Sequence, residues 1–171
     1  MNINIFFAVV ASGLLMIFFL FKPLNIKEQN FTDIPLFELE TFILYELNTQ
    51  GLATLMIGTE GIRYANRYQI KDIDYTDNSK QYIANMKAKH GIYQDEIVHL
   101  NGDVVYSRED GLVFTTQEIE YNKKTSVAHT DKAYVAYKGE NIVRGESLDY
   151  NNLLNKTNST NVVANYKIME K

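Results

Sequence analysis

The chain has 171 residues, with 17 Lys and Arg against 21 Asp and Glu and a formal charge of −4. That length suits one domain with a real core. The absence of Cys excludes disulfides, Cys-ligated zinc, iron–sulfur clusters, a thiol nucleophile and a lipid-acylated Cys. A mildly acidic balance with no basic block argues against nucleic acid as the main partner.

The first element is apolar. Residues 1–21 hold no charged side chain, and 17 of the 21 are apolar. Ile5 to Phe21 forms a run long enough, at ~1.5 Å per residue, to approach the ~30 Å hydrocarbon core of a bilayer. Residues 1–22 therefore predict a transmembrane anchor. A cleaved signal would need a basic start and a small-x-small cleavage site, and neither is present. The positive-inside count favours Lys22 and Lys27 on the cytoplasmic side, so charge alone does not place the following domain outside. Residues 23–35 are polar, end at Pro35 and predict a linker. Within it, Glu28-Gln29-Asn30-Phe31-Thr32 fits a bacterial glycosylation sequon at Asn30.

From residue 36 the period is two. Phe37, Leu39, Thr41, Ile43, Tyr45 and Leu47 alternate with Glu38, Glu40, Phe42, Leu44 and Glu46, which predicts a strand whose apolar face carries the odd positions. Further short strands follow around Leu52–Ile57, Ile62–Ile70, Ile73–Tyr75, Tyr82–Ala88, Val98–Leu100, Val104–Tyr106, Leu112–Thr116, Ile119–Tyr121, Val135–Tyr137, Leu148–Tyr150 and Val162–Tyr166. Turn residues separate them at Asp77-Asn78-Ser79, Asn101-Gly102-Asp103, Asp110-Gly111 and Lys138-Gly139-Glu140. No amphipathic helix longer than two turns is evident after residue 23. Residues 36–171 predict an all-β domain. An aliphatic-acidic-Tyr unit recurs as Ile73-Asp74-Tyr75, Ile119-Glu120-Tyr121 and Leu148-Asp149-Tyr150, at unequal spacing.

Catalytic signals are lacking. There is no phosphate-binding glycine loop and no nucleophile elbow, and His90, His99 and His129 have no metal-ligand spacing. No cofactor or metal is expected, and the chain does not read as an enzyme. The Lys123-Lys124 pair fits a solvated hairpin tip or a site near lipid phosphates.

The segment Val98 to Tyr150 orders Leu100, Gly102 and Val104, then Leu112, Thr115 and Thr116, then Thr130-Asp131, Ile142 with Gly145, and Leu148-Asp149-Tyr150. Together with the single N-terminal anchor and the total length, it resembles the LptC family, the inner-membrane-anchored component of the periplasmic lipopolysaccharide bridge. The resemblance implies a β-jelly-roll, or folded-over antiparallel sheet, with an open apolar groove standing in the periplasm behind its anchor. It implies a conduit that accepts lipopolysaccharide from an inner-membrane ABC-type extractor, by way of permease β domains, and passes it to a soluble periplasmic bridge protein. Residues placed to line such a groove are Leu39, Ile43, Tyr64, Ile73, Tyr75, Met86, Val98, Leu100, Val104, Leu112, Phe114, Ile119, Tyr121, Val135, Tyr137, Leu148 and Tyr150. Gly102 and Gly145 are the motif glycines. Thr160 to Ile168, with Val162, Val163, Ala164, Asn165 and Tyr166 at its centre, is an unguarded edge strand for the soluble partner, and Leu36 to Leu47 the edge toward the extractor. Alternation alone also fits a sealed core, and hence a membrane-anchored periplasmic adaptor with no lipid ligand.

Overall fold

A computed structural model describes residues 3–20 and 33–167. The chain divides into two units, residues 1–30 and 31–171. The first contains one helix, α1 (Ile3–Leu20), uncharged and apolar around its whole circumference. Its 18 residues span about 27 Å at ~1.5 Å per residue. Among the described residues no helix is long and apolar enough to cross a membrane. A spanning anchor at residues 1–22 is therefore a proposal and not an observation. Most of the 23–35 linker and Asn30 lie outside the described residues.

The second unit is all β. Its strands are β1 (Phe37–Asn48), β2 (Gly51–Arg63), β3 (Tyr68–Asp77), β4 (Ala84–Gln94), β5 (Ile97–Arg108), β6 (Leu112–Asn122), β7 (Val127–Thr130), β8 (Tyr134–Lys138), β9 (Asn141–Gly145), β10 (Ser147–Asn151), β11 (Lys156–Thr160) and β12 (Val163–Asn165). They form one antiparallel sheet. It forks at β6, whose Leu112–Thr116 half pairs with β8 and whose Glu120–Asn122 end pairs with β7. The fork is an interruption within long strands. β7 and β8 together follow β6; β9 and β10 together follow them, and β11 and β12 together come last. Each long strand bonds to the next in the chain. This is the pairing of a meander, without the crossing connections of a two-Greek-key jelly roll.

The interruptions face one another across the sheet. Thr41 drops out of the β1–β2 register and takes φ 45°. Asp72, at φ 48°, drops out of β3–β4. Gly102 and Asp103, at φ 83° and 48°, shift the β5 register against both neighbours. The same line continues through residues 131–133, Glu146 and Asn161, the last at φ 49°. A bulge bends its strand and adds twist. The β5 bulge and the left-handed residues Thr41, Asp72 and Asn161 align along one transverse line, where the sheet bends.

The side-chain pattern confirms the bend. Same-face residues are normally two apart, but here Leu39 and Phe42, Gly58 and Gly61, Ile70 and Ile73, and Thr116 and Ile119 share a face three apart. The alternation changes phase at the bend in every one of these strands. Leu100 and Val104, on either side of the Gly102–Asp103 bulge, are the two most enclosed large side chains, each only 1 % exposed. Ile73 and Ala88 complete that cluster. Met56, Tyr75 and Met86 pack on it from one side of the bend, and Ile70, Val98 and Ile119 from the other.

Three sequence expectations are corrected. Asn101-Gly102-Asp103 is not a turn: β5 runs unbroken through it, because residues that tolerate left-handed φ serve a bulge as well as a hairpin. The apolar face of β1 does not keep to odd positions: after Thr41 the inner residues are Phe42 and Leu44. The C-terminal strand is not continuous: β11 and β12 are separated at Asn161-Val162, and Ile168 lies outside the described residues.

Candidate functional site: an inner face, two rims and two edges

Register places the inner face in rows. One row runs Leu44, Met56, Tyr75, Met86, Tyr106, Phe114, Ala136, Val143 and Ala164. Across the bend a second runs Arg63, Tyr68, Tyr93, Val98, Tyr121, Ala128, Tyr150 and Thr157. Between them lie Leu39, Gly61, Ile70, Gly91, Leu100 and Ile119. The surface is apolar with tyrosine hydroxyls set into it, suited to an amphiphile with a polar head. Burial raises the pKa of Tyr75 and of Tyr106.

Of the expected groove residues, Leu39, Ile73, Tyr75, Met86, Val98, Leu100, Val104, Leu112, Phe114, Ile119, Tyr121, Leu148 and Tyr150 stand on this face. Four do not. Ile43 and Val135 belong to an outer row with Ile57, Asp74, Lys87, Val105, Thr115 and Arg144. Tyr137 is also outward, opposite Val113 and Ile142. Tyr64 sits in the β2–β3 turn, its ring 4.0 Å from the Arg67 guanidinium. Phe42, Leu44, Met56, Ile70, Tyr68, Tyr93 and Tyr106 join the face unannounced. Gly58 and Gly61 opposite Phe42 were the available signal, since a Cβ at either would strike its ring.

The motif glycines act differently. Gly102 has φ 83°, and a Cβ there would lie 2.8 Å from the Lys89 Cβ. Gly145 has ordinary backbone angles, but a Cβ would lie 2.6 Å from the Tyr134 ring and 2.8 Å from Ser159 Oγ. The Tyr134 hydroxyl and Ser159 Oγ share a hydrogen bond of 2.9 Å across that space.

The recurring aliphatic-acidic-Tyr unit has a structural cause. In each copy the aliphatic residue and Tyr point inward and the acid points outward to a cross-strand partner. Asp74 meets Lys87 at 2.8 Å, Glu120 meets His99 at 3.5 Å, and Asp149 meets His129 Nδ1 at 2.7 Å. Burial pushes the Asp74 carboxyl up, and Lys87 with Asn85 outweighs it, so the net shift is down. His99 and His129 thus serve the outer surface. No group of metal-ligating side chains occurs among the described residues.

Two depressions sit over the bend, of about 270 and 460 Å³, lined in part by Asp72, Lys87, Lys89 and Asp103 and by Val105, Thr115, Gln117 and Arg144. They belong to the charged outer surface. Among the described residues both sheet edges are unpaired: β1 bonds only to β2, β11 only to β10 and β12 only to β9. Leu44 and Leu47 on one edge are 58 % and 72 % exposed, and Val163 on the other is 60 % exposed.

The family model described as LptC: Lipopolysaccharide-assembly, LptC-related, matches residues 6–166. The chain belongs to this LptC-related family. No curated protein matches the chain. The family match covers α1 from Phe6 and the sheet as far as Tyr166, and it brings a role in lipopolysaccharide assembly and transport. An LptC-related chain is a transport component.

Proposed function

We propose that this LptC-related protein is a non-enzymatic conduit for lipopolysaccharide or lipooligosaccharide. Acyl chains lie on the inner face along the bend, and the polar head emerges between the two rows of strand ends. The observation that carries this reading is the sparse filling of the fold. The described apolar residues that are buried are Ala53, Ile73, Ala88, Leu100, Val104, Phe114 and Tyr134, most of them clustered at the bend. A sealed sandwich of this length would enclose many more. The inner rows away from the bend stay partly exposed.

The helix α1 anchors the protein in the inner membrane, with the sheet in the periplasm. Local thinning of the bilayer closes a mismatch of a few Å at fractions of a kcal/mol per Å. The two free edges accept neighbouring sheets by strand addition. β1 faces the permease β domains of the ABC-type extractor, and β11 with β12 faces the soluble bridge protein. Lipid movement is driven by the extractor; this chain supplies a surface that holds acyl chains and lets them go.

The test is the lipid itself. Full-length protein extracted from its own membrane should carry lipopolysaccharide bound to it. Photo-crosslinkers at Phe114, Ile119 and Tyr121 should capture that lipid, and one at outward Lys87 should not. A chain that retains its fold, joins the extractor complex and carries no lipid would be an adaptor with a closed core.

A further inference from the structure

The two rims of the folded sheet differ in charge. On the rim formed by the β3–β4, β5–β6 and β8–β9 turns, cations are matched by acids. Arg108 makes two bonds to Asp110 at 3.0 and 2.6 Å, and Lys138 binds the same carboxylate at 2.6 Å. Lys80 pairs with Asp77, and Lys167 with Glu140.

The opposite rim, formed by the β2–β3, β4–β5, β6–β7 and β10–β11 turns, is built otherwise. Arg63 lies 5.4 Å from the Tyr68 ring centre, Tyr68 and Tyr93 rings are 6.2 Å apart, and Lys123 Nζ lies 5.0 Å from the Tyr93 ring. A cation thus closes each end of a tyrosine pair. Neither Arg63 nor Lys123 pairs with a carboxylate among the described residues, and neither do Lys124 and Lys156 nearby. Among the described residues the acids of this rim are Asp95 and Glu96 in the β4–β5 turn and Asp33, which binds Arg67 at 2.9 Å. Ring contact positions a cation without neutralising it and leaves its N–H donors for another acceptor. Tyr68 and Tyr93 also begin the inner tyrosine row.

We propose that this rim is an anion subsite in which Arg63 and Lys123, held on Tyr68 and Tyr93, bind the phosphate of an amphiphile whose acyl chains lie on the inner face. The subsite deepens the conduit reading and rests on it. Arg63 offers a planar fork that matches two phosphate oxygens, and Lys123 adds a point charge beside it. Among the described residues the other rim has no comparable cation held on a tyrosine ring without a carboxylate partner, so a phosphorylated head entering the fold is oriented toward the tyrosine side.

The experiment compares binding of bisphosphorylated lipid A and the same lipid without phosphates to the full-length protein in detergent. The wild type should prefer the phosphorylated lipid by about tenfold, the scale of one charge-assisted contact. Arg63→Gln with Lys123→Gln should lose that preference and bind the dephosphorylated lipid as the wild type does. Arg63→Lys, which keeps the charge but loses the fork, should keep only part of the preference, and Lys87→Gln on the outer face should keep all of it. Equal binding of both lipids by the wild type, or an unchanged preference in the double variant, would overturn the subsite and leave the conduit standing. Binding of neither lipid would overturn both. Displacement by inorganic phosphate at the lipid's own concentration would reassign the cations to a free anion and contradict the proposal.

Discussion

At the residue scale, the fold depends on a few positions that cannot take an ordinary side chain or angle. Gly102→Ala forces a left-handed residue and a contact with the Lys89 stem, and should cost about 1–2 kcal/mol. Gly145→Ala drives a methyl group into Tyr134 and Ser159, at about 1–3 kcal/mol. Denaturant titration of the two variants should show both losses, with little change in the slope. Both glycines were legible as motif positions, but their reasons were not. Gly102 resembled a hairpin turn because a bulge and a turn ask for the same backbone angles. Thr41 gave no signal, since a β-branched residue rarely takes left-handed φ, and Asp72, whose type tolerates it, stood between Ile70 and Ile73 with no Gly or Asn beside it. Asp110 carries a pH prediction. Its bonds to Arg108 and Lys138 hold its carboxyl well below the usual range. A depressed carboxylate contributes stability that is present above its unfolded pKa of about 3.9 and lost as pH falls through the folded value. Stability should therefore drop on acidification below about pH 4, and Asp110→Asn should flatten that drop while lowering stability at pH 7.

At the element scale, the all-β character was visible, because β-branched and aromatic residues recur between turn residues, but β5 and β6 each read as two short strands and β7, β9 and β11 were not read. What alternation could not show was its own change of phase. In β5 the Gly102–Asp103 bulge keeps Leu100 and Val104 on one face, whereas in β1, β2, β3 and β6 the residues beyond the bend change phase. That is why Ile43 was expected inside while Phe42 and Leu44 occupy the place, and why Val135 and Tyr137 fall on the outside. The tyrosine rim was invisible for a related reason: Arg63, Tyr68, Tyr93 and Lys123 meet only once register aligns four strands. The edges carry the partner prediction. Removing residues 162–171 deletes β12, which covers only Ile142, Val143 and Arg144 of β9. The truncated protein should keep its β circular-dichroism spectrum, remain in the extractor complex and lose capture of the soluble bridge protein. Full retention of that capture would move the docking edge elsewhere.

At the scale of the whole molecule, a meander folded along one line gives a long apolar face with open ends, and the strands need no covering layer. Sequence neighbours pair from β1 to β7, and the interrupted halves beyond pair as β6–β8, β7–β10 and β9–β12, so the bend and not a second sheet creates the enclosure. The family was legible from the uncharged head and the Val98–Tyr150 pattern. The position of the bend was not, and it fixes which residues share the inner face. One measurement tests this most directly: photo-crosslinking to lipopolysaccharide at each position along β6 in energised membranes. The path described here predicts capture at Leu112, Phe114 and Thr116, a break, then capture at Ile119 and Tyr121, with Val113, Thr115, Glu118 and Glu120 silent. Capture that alternates without a break, or equal capture on both faces, would contradict it.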